Sequence, residues 1–98
     1  MSPRDGDGEG EGSEALPRID FATFVLSLSH SALMHLGDAP DPSGEISEPN
    51  LELARQTVDV LGLLEEKTRG NLTGEEERIL HQALFDLRMR YARKASGR

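Results

Sequence analysis

Apolar side chains return every three or four positions in three separate stretches between Asp20 and Lys94, and nowhere do apolar and polar residues alternate long enough to make a half-buried strand. The pattern predicts an all-α domain of three helices, over about 21–36, 51–69 and 74–94. Each helix has a start signal. Asp20, Asn50 and Thr73 carry short side-chain oxygens that accept from the free N–H groups of a first turn, and Glu76, three residues past Thr73, completes a capping box. Gly37 and Gly70 supply stops, because glycine readily takes the left-handed conformation in which many helices end. Only Gly70, Asn71, Leu72 and Thr73 separate the second helix from the third, so those two must fold back as an antiparallel hairpin. The connection over 37–49 is longer and holds Pro40, Pro42, Gly44 and Pro49, which forbid helix and predict an irregular crossing loop.

Placed at 100° per residue, the second helix is one-sided: Leu51, Leu53, Ala54, Thr57, Val58, Val60, Leu61 and Leu64 gather opposite Glu52, Arg55, Gln56, Asp59, Glu66 and Lys67. Gly62 in its middle costs about 1 kcal/mol relative to alanine and permits a neighbour to approach closely. The third helix has a main stripe of Leu80, Ala83, Leu84, Leu87 and Tyr91, and a second apolar face where Phe85, Met89 and Ala92 lie. The first helix is the unusual one. From Phe21 to Gly37 no residue carries a formal charge while His30 and His35 are neutral, and the positions away from the apolar arc are Thr23, Ser27, His30, Ser31 and Met34 rather than lysine or glutamate. Such a helix should be enclosed on nearly every side, yet a hairpin of two helices covers only one. A second subunit is therefore expected to cover the rest, meeting at the small residues Ser27 and Ser31. The surplus face of Phe85 and Met89 points the same way. In the competing reading, long side chains and the Pro-rich loop shield the helix within a monomer.

Charge changes this picture mostly at the two ends. Nine of the ten residues at 5–14 are Gly, Asp or Glu, which cannot bury enough apolar surface to offset backbone entropy, so residues 1–19 are expected to form a disordered acidic tail. That stretch also lacks the basic start and apolar run of a secretory signal, and the expectation is a cytoplasmic protein. Beyond Leu87 the sign reverses: Arg88, Arg90, Arg93, Lys94 and Arg98 are joined by no acid, and 95–98 forms a basic C-terminal end. The whole chain of 98 residues carries a formal charge of -7, which disfavours a protein that coats nucleic acid or an anionic membrane over its entire surface. An uncharged run raises the question of membrane insertion. Seventeen residues lie at the lower bound of the span a bilayer needs, and three serines, a threonine and two histidines dilute them, so no insertion is expected.

Few residues of the chain suggest chemistry. Without cysteine there is no disulfide, thiolate nucleophile or Cys-ligated metal. No phosphate loop, dinucleotide fingerprint or paired-histidine zinc helix can be read, so no catalytic, cofactor or metal site is assigned. His30 and His35, five apart on one helix, point to different sides and suit packing better than joint ligation. Glu77 and His81 share a face, but two ligands do not make a site. Asp38, Asp41, Glu45 and Glu48 in the crossing loop have the wrong spacing for a hard cation and are expected to be solvated. Arg88, Arg90, Arg93 and Lys94 are candidate phosphate contacts with Tyr91 as a stacking platform, although Tyr91 fits the core stripe and cations at a helix C-terminus also complement its dipole.

The strings FATFVLSLSHSALMHLG (21–37), NLELARQTVDVL (50–61), EKTRGNLT (66–73) and LRMRY (87–91) resemble a family of small bacterial helical proteins, domain of unknown function 1844. The resemblance covers 21–91, or 71 of the 98 residues, and implies a small bacterial protein of helical fold. It supplies no activity, cofactor or catalytic residue. Gly62 and Gly74 depart from the pattern toward poorer helix formers, which bears on rigidity rather than function.

The sequence thus leads to a non-catalytic helical domain that contacts another protein, first of all a second copy of itself, through Phe24, Ser27, Ser31, Met34, Phe85 and Met89. The alternatives are a nucleic-acid accessory factor acting through the basic end of the third helix, and an enzyme with an unrecognised site near His30 and His35.

Overall fold

The computed structural model describes residues 18–97 and holds three helices: α1 (Phe21–Leu36), α2 (Leu51–Lys67) and α3 (Gly74–Ala95). No strand occurs among the described residues. The expected acidic tail lies outside the described residues except for Arg18 and Ile19, and so does Arg98 of the basic end.

The three caps form as the side-chain chemistry dictates. Asp20 Oδ1 accepts from the Thr23 N–H at 2.8 Å, and Asn50 Oδ1 accepts from the Leu53 N–H at 3.1 Å. At α3 the Glu76 N–H donates to Thr73 Oγ1 at 3.1 Å while the Thr73 N–H donates to Glu76 Oε1 at 2.9 Å, a reciprocal capping box. The second helix ends two residues short of the expected 69. Thr68 leaves helical geometry at φ -103°, ψ 5°, its hydroxyl donates back to the Leu64 carbonyl at 2.6 Å, and the chain then turns through Gly70 at φ +84°. A threonine whose hydroxyl competes for the backbone carbonyl a turn earlier is a poor residue on which to extend a helix.

Helix α1 closes differently. Gly37 sits at φ +79°, its N–H donates to the Met34 carbonyl at 3.0 Å, and the Asp38 N–H donates to the Leu33 carbonyl at 2.8 Å, the bond of a Schellman motif. The crossing loop then returns so that the Asn50 N–H meets the His35 carbonyl at 2.7 Å, which starts α2 against the end of α1 and sends it back antiparallel. A Cβ at Gly37 would lie 3.1 Å from the Ser47 carbonyl oxygen and 3.3 Å from Pro49 Cγ, whereas one at Gly70 would meet nothing. Gly70→Ala is expected to cost about 1 kcal/mol in left-handed backbone strain, and Gly37→Ala several tenths more because the loop must also yield. Thermal melts of the two variants check this ordering.

The core takes three residues from each helix: Val25, Ala32 and Leu36; Ala54, Val58 and Leu61; Leu80, Leu84 and Leu87. Phe21, Leu28, Leu33, Leu64, Ile79 and Tyr91 pack against it at its margin. No polar or charged residue is buried there, so the interior rests on apolar burial and packing alone. Each helix touches both others, and each buries one stripe, leaving the opposite face to water.

Candidate functional site

The outer side of α1 is not enclosed. Phe24 is 42% and Leu26 57% exposed, Ser27 and His30 are exposed, and Ser31 and Met34 are half-buried. Four of the residues expected to make contacts, Phe24, Ser27, Ser31 and Met34, follow one another at intervals of three, four and three residues, the spacing of the a and d positions along a coiled-coil seam. They form one outward stripe, with the two serines at its centre and a large side chain at each end.

Phe85 and Met89 do not join that stripe. They stand 67% and 41% exposed on the outer side of α3, where they line an open groove with Glu65 of α2 and with His81, Leu84, Arg88 and Ala92. No residue of α1 borders this groove. The six expected contact residues therefore belong to two separate surfaces.

On α2 the apolar half-circumference is only partly used. Leu53 and Val60, grouped with the inward side by periodicity, remain 42% and 39% exposed, and Leu63 is 55% exposed. Helix α3 meets α2 on the side of Gly62, where a Cβ would stand 3.3 Å from an Arg88 guanidinium nitrogen. It meets α1 along Leu26, Ser29 and Leu33, opposite Ile79, Ala83 and Asp86. Leu53 and Val60 lie on the other flank of α2, and Phe24 and Ser31 on the other flank of α1, so these two flanks border the same α1–α2 seam.

The four cations considered for nucleic acid are dispersed. Arg88 and Arg90, two apart on one helix, point to opposite sides. Arg88 borders the α2–α3 groove, while Arg90 Nη1 reaches Asp38 Oδ2 at 3.0 Å and its Nε reaches Asp86 Oδ2 at 2.9 Å. Lys94 Nζ takes the other Asp38 oxygen at 3.0 Å, and Arg93 is exposed. Asp38, whose side chain is 19% exposed, thus ties the start of the crossing loop to the last turns of α3. Its partial burial pushes the carboxyl up, the hydrogen bonds and charges of Lys94 and Arg90 pull it down, and the net result lies below the ordinary aspartate value. The Arg90 guanidinium is raised correspondingly, chiefly by Asp86 and then by Asp38. Arg90 and Lys94 hold the fold together and are only partly available to a phosphate. Nothing local marks this bridge in the sequence, since Asp38 and Arg90 stand 52 residues apart.

Asp41 in the crossing loop faces solvent and also organises the backbone around it. Asp41 Oδ1 accepts from the Ser43 hydroxyl at 2.6 Å, the Ser43 N–H at 2.9 Å and the Glu45 N–H at 3.1 Å, a turn held by its own side chain. These hydrogen bonds, the Ser43 hydroxyl first, hold its carboxyl below the usual range. His81 pairs with Glu65 of α2 at 2.9 Å rather than with Glu77 on its own helix. Among the described residues no three His, Cys, Asp or Glu side chains gather as metal ligands would, and no helix is long and apolar enough to cross a membrane. His30 and His35 lie on different sides of α1, the first exposed and the second half-buried.

Against known proteins, the model of a family described as a domain of unknown function, DUF1844, matches residues 18–93. No curated protein and no solved structure matches the chain.

Proposed function

Because the chain belongs to the DUF1844 family, a helical domain of unknown function, its role must be sought in its own surface, and we propose that it is a non-catalytic interaction domain that pairs with a second copy through the outer stripe of α1. The observation that carries the reading is the order of sizes along that stripe: Phe24, Ser27, Ser31, Met34, large, small, small, large. Two copies crossing antiparallel about the midpoint bring serine against serine where the backbones come closest. Phe24 then faces Met34 where the helices diverge and there is room to fill. The order reads nearly the same in both directions, as a two-fold contact requires. No formal charge lies on the stripe, so pairing brings no like charges together, and Leu53 and Val60 extend the apolar area across the seam.

On this reading the protein works as a cytoplasmic bacterial homo-oligomer, with neither cofactor nor metal and without inserting into a membrane. A nucleic-acid role has less support, because Arg90 and Lys94 are engaged by Asp38 and Arg88 points away from both.

Light scattering during size exclusion tests the pairing. The full chain at micromolar concentration is expected to elute at twice its 10.7 kDa mass. Ser27→Glu and Ser31→Glu, which place carboxylates at the crossing point of both copies, are expected to elute at single-chain mass with unchanged helical circular dichroism. A wild-type chain that stays single across that range overturns the proposal, as does a Glu variant that still elutes at double mass.

A further inference from the structure

Beside the uncharged stripe of α1 stands one exposed group that can acquire a charge. His30 comes three residues after Ser27 and one before Ser31, and it faces solvent, whereas His35 is half-buried on another side of the helix. Imidazole is the side chain that changes charge between about pH 5 and pH 8. Its surroundings offer no carboxylate to absorb that charge. On α3 the charged side chains toward α1 are Asp86, which borders Ser29 and Leu33, and Arg90, and these two already pair at 2.9 Å. Helix α2 starts beside His35 and runs antiparallel, which puts Arg55 at the level of His30. There Glu52, Arg55 and Asp59 line a depression with Leu53 and Gln56 that no residue of α1 borders. Among the described residues the histidine engaged in an ion pair is His81.

Symmetry fixes what His30 meets when two copies pair through α1. A two-fold contact sets each residue near the axis against its own copy. The stripe of Phe24, Ser27, Ser31 and Met34 is centred at Ser29, so His30 lies one residue, about 1.5 Å along the helix, from the axis. In an antiparallel pair that axis runs between the helices at right angles to both, and it leaves the two His30 side chains on the same edge of the contact. Paired helix axes lie about 8–10 Å apart, close enough for two imidazolium groups to oppose each other across that edge.

Given the pairing through α1, on which this inference rests, we propose that His30 makes it pH-sensitive. Neutral, it borders an uncharged interface and the copies stay together. Protonated in both copies, it sets like charges against each other beside the two-fold and drives them apart. Repulsion across about 8–10 Å at a protein surface, reduced by salt, should raise the Kd about tenfold. The sign separates this from the charge of the whole chain. Protonating the 3 histidines makes the formal charge of -7 less negative, so repulsion between whole chains would ease in acid and tighten pairing.

Sedimentation equilibrium of the full chain at about pH 8 and about pH 5.5 tests the proposal. The wild type is expected to pair about tenfold more weakly at the lower pH, with unchanged helical circular dichroism. His30→Gln should pair equally at both, and His35→Gln should keep the wild-type response. His30→Lys, charged throughout, should pair about tenfold more weakly than wild type already at about pH 8, where acid cannot disturb the fold. Wild-type pairing that is unchanged or tighter in acid overturns the pH switch and leaves the α1 contact standing. A response that survives in His30→Gln, or a lysine variant that pairs like wild type, does the same. A wild-type chain that stays single at about pH 8 removes both.

Discussion

Replacing Leu61 by alanine should cost about 3 kcal/mol of folding stability, the largest loss expected from any single truncation considered, while Leu63→Ala, two positions on, should cost well under 1 kcal/mol. Leu61 is fully buried and packs in a core without a single polar group, so its removal forfeits both the transfer of the side chain from water and the contacts around the space it leaves. Leu63 is 55% exposed and loses little that water does not replace. A domain of this size holds only about 0.05–0.15 kcal/mol per residue in reserve, so 3 kcal/mol is a large share of the whole. With the roughly 4–8 °C per kcal/mol of a domain of 60–100 residues, the melting temperature should fall by more than about 10 °C. Urea titration at one fixed protein concentration is the better measurement, because pairing of copies makes apparent stability concentration-dependent. The midpoint should move with the slope unchanged. Equal costs for the two leucines would mean that α2 is rotated about its axis relative to the arrangement described.

That pair of leucines also shows where reading a sequence succeeds and where it stops. Periodicity assigns faces relative to a helix's own axis, and capping residues assign its ends, which is why α1 and α3 lie where expected to within a residue and every N-cap forms. The same periodicity does not say how far each helix turns toward its neighbours. Leu53 and Val60 therefore fall among inward positions on a wheel and yet stay near 40% exposed, because α3 takes the Gly62 side of α2. The division of the expected contact set has the same origin. Phe24 and Phe85 are both surplus to their helices' inward stripes, but only the packing of three rods decides that they open onto different surfaces. Gly62 was legible as a point of close approach, whereas the identity of the neighbour, Arg88, was not. Where a side chain's role depends on a partner dozens of residues away, composition and spacing are silent, and Asp38 is the clearest case.

Asp38→Ala should cost about 2 kcal/mol at neutral pH, the second large effect, although the residue sits in a loop of prolines and acids. Exposed ion pairs are worth about 0.2–1 kcal/mol each. Asp38 makes two, its own side chain is only 19% exposed, and the pairs are charge-assisted hydrogen bonds at 3.0 Å, which places the sum at the upper end. The variant also leaves Lys94 without its carboxylate, while Arg90 keeps Asp86. The dependence on pH identifies the cause. The folded carboxyl titrates below its ordinary value of 3.8, so between the two values the unfolded chain binds the extra proton and acid favours unfolding. The contribution of Asp38 is therefore fully present above the unfolded value and is lost as pH falls through the folded one. The stability gap between wild type and Asp38→Ala should stay level from about pH 7 to pH 5 and shrink below about pH 4. Asp20 and Asp41, also lowered, are common to both proteins and cancel in the difference. Raising ionic strength should narrow the gap at neutral pH as well, because Arg90 and Lys94 are 38% and 32% exposed and within reach of screening ions. A gap that ignores both acid and salt would mean that Asp38 stabilises the turn after α1 through its backbone neighbours, and that the loop and the end of α3 are joined by packing alone.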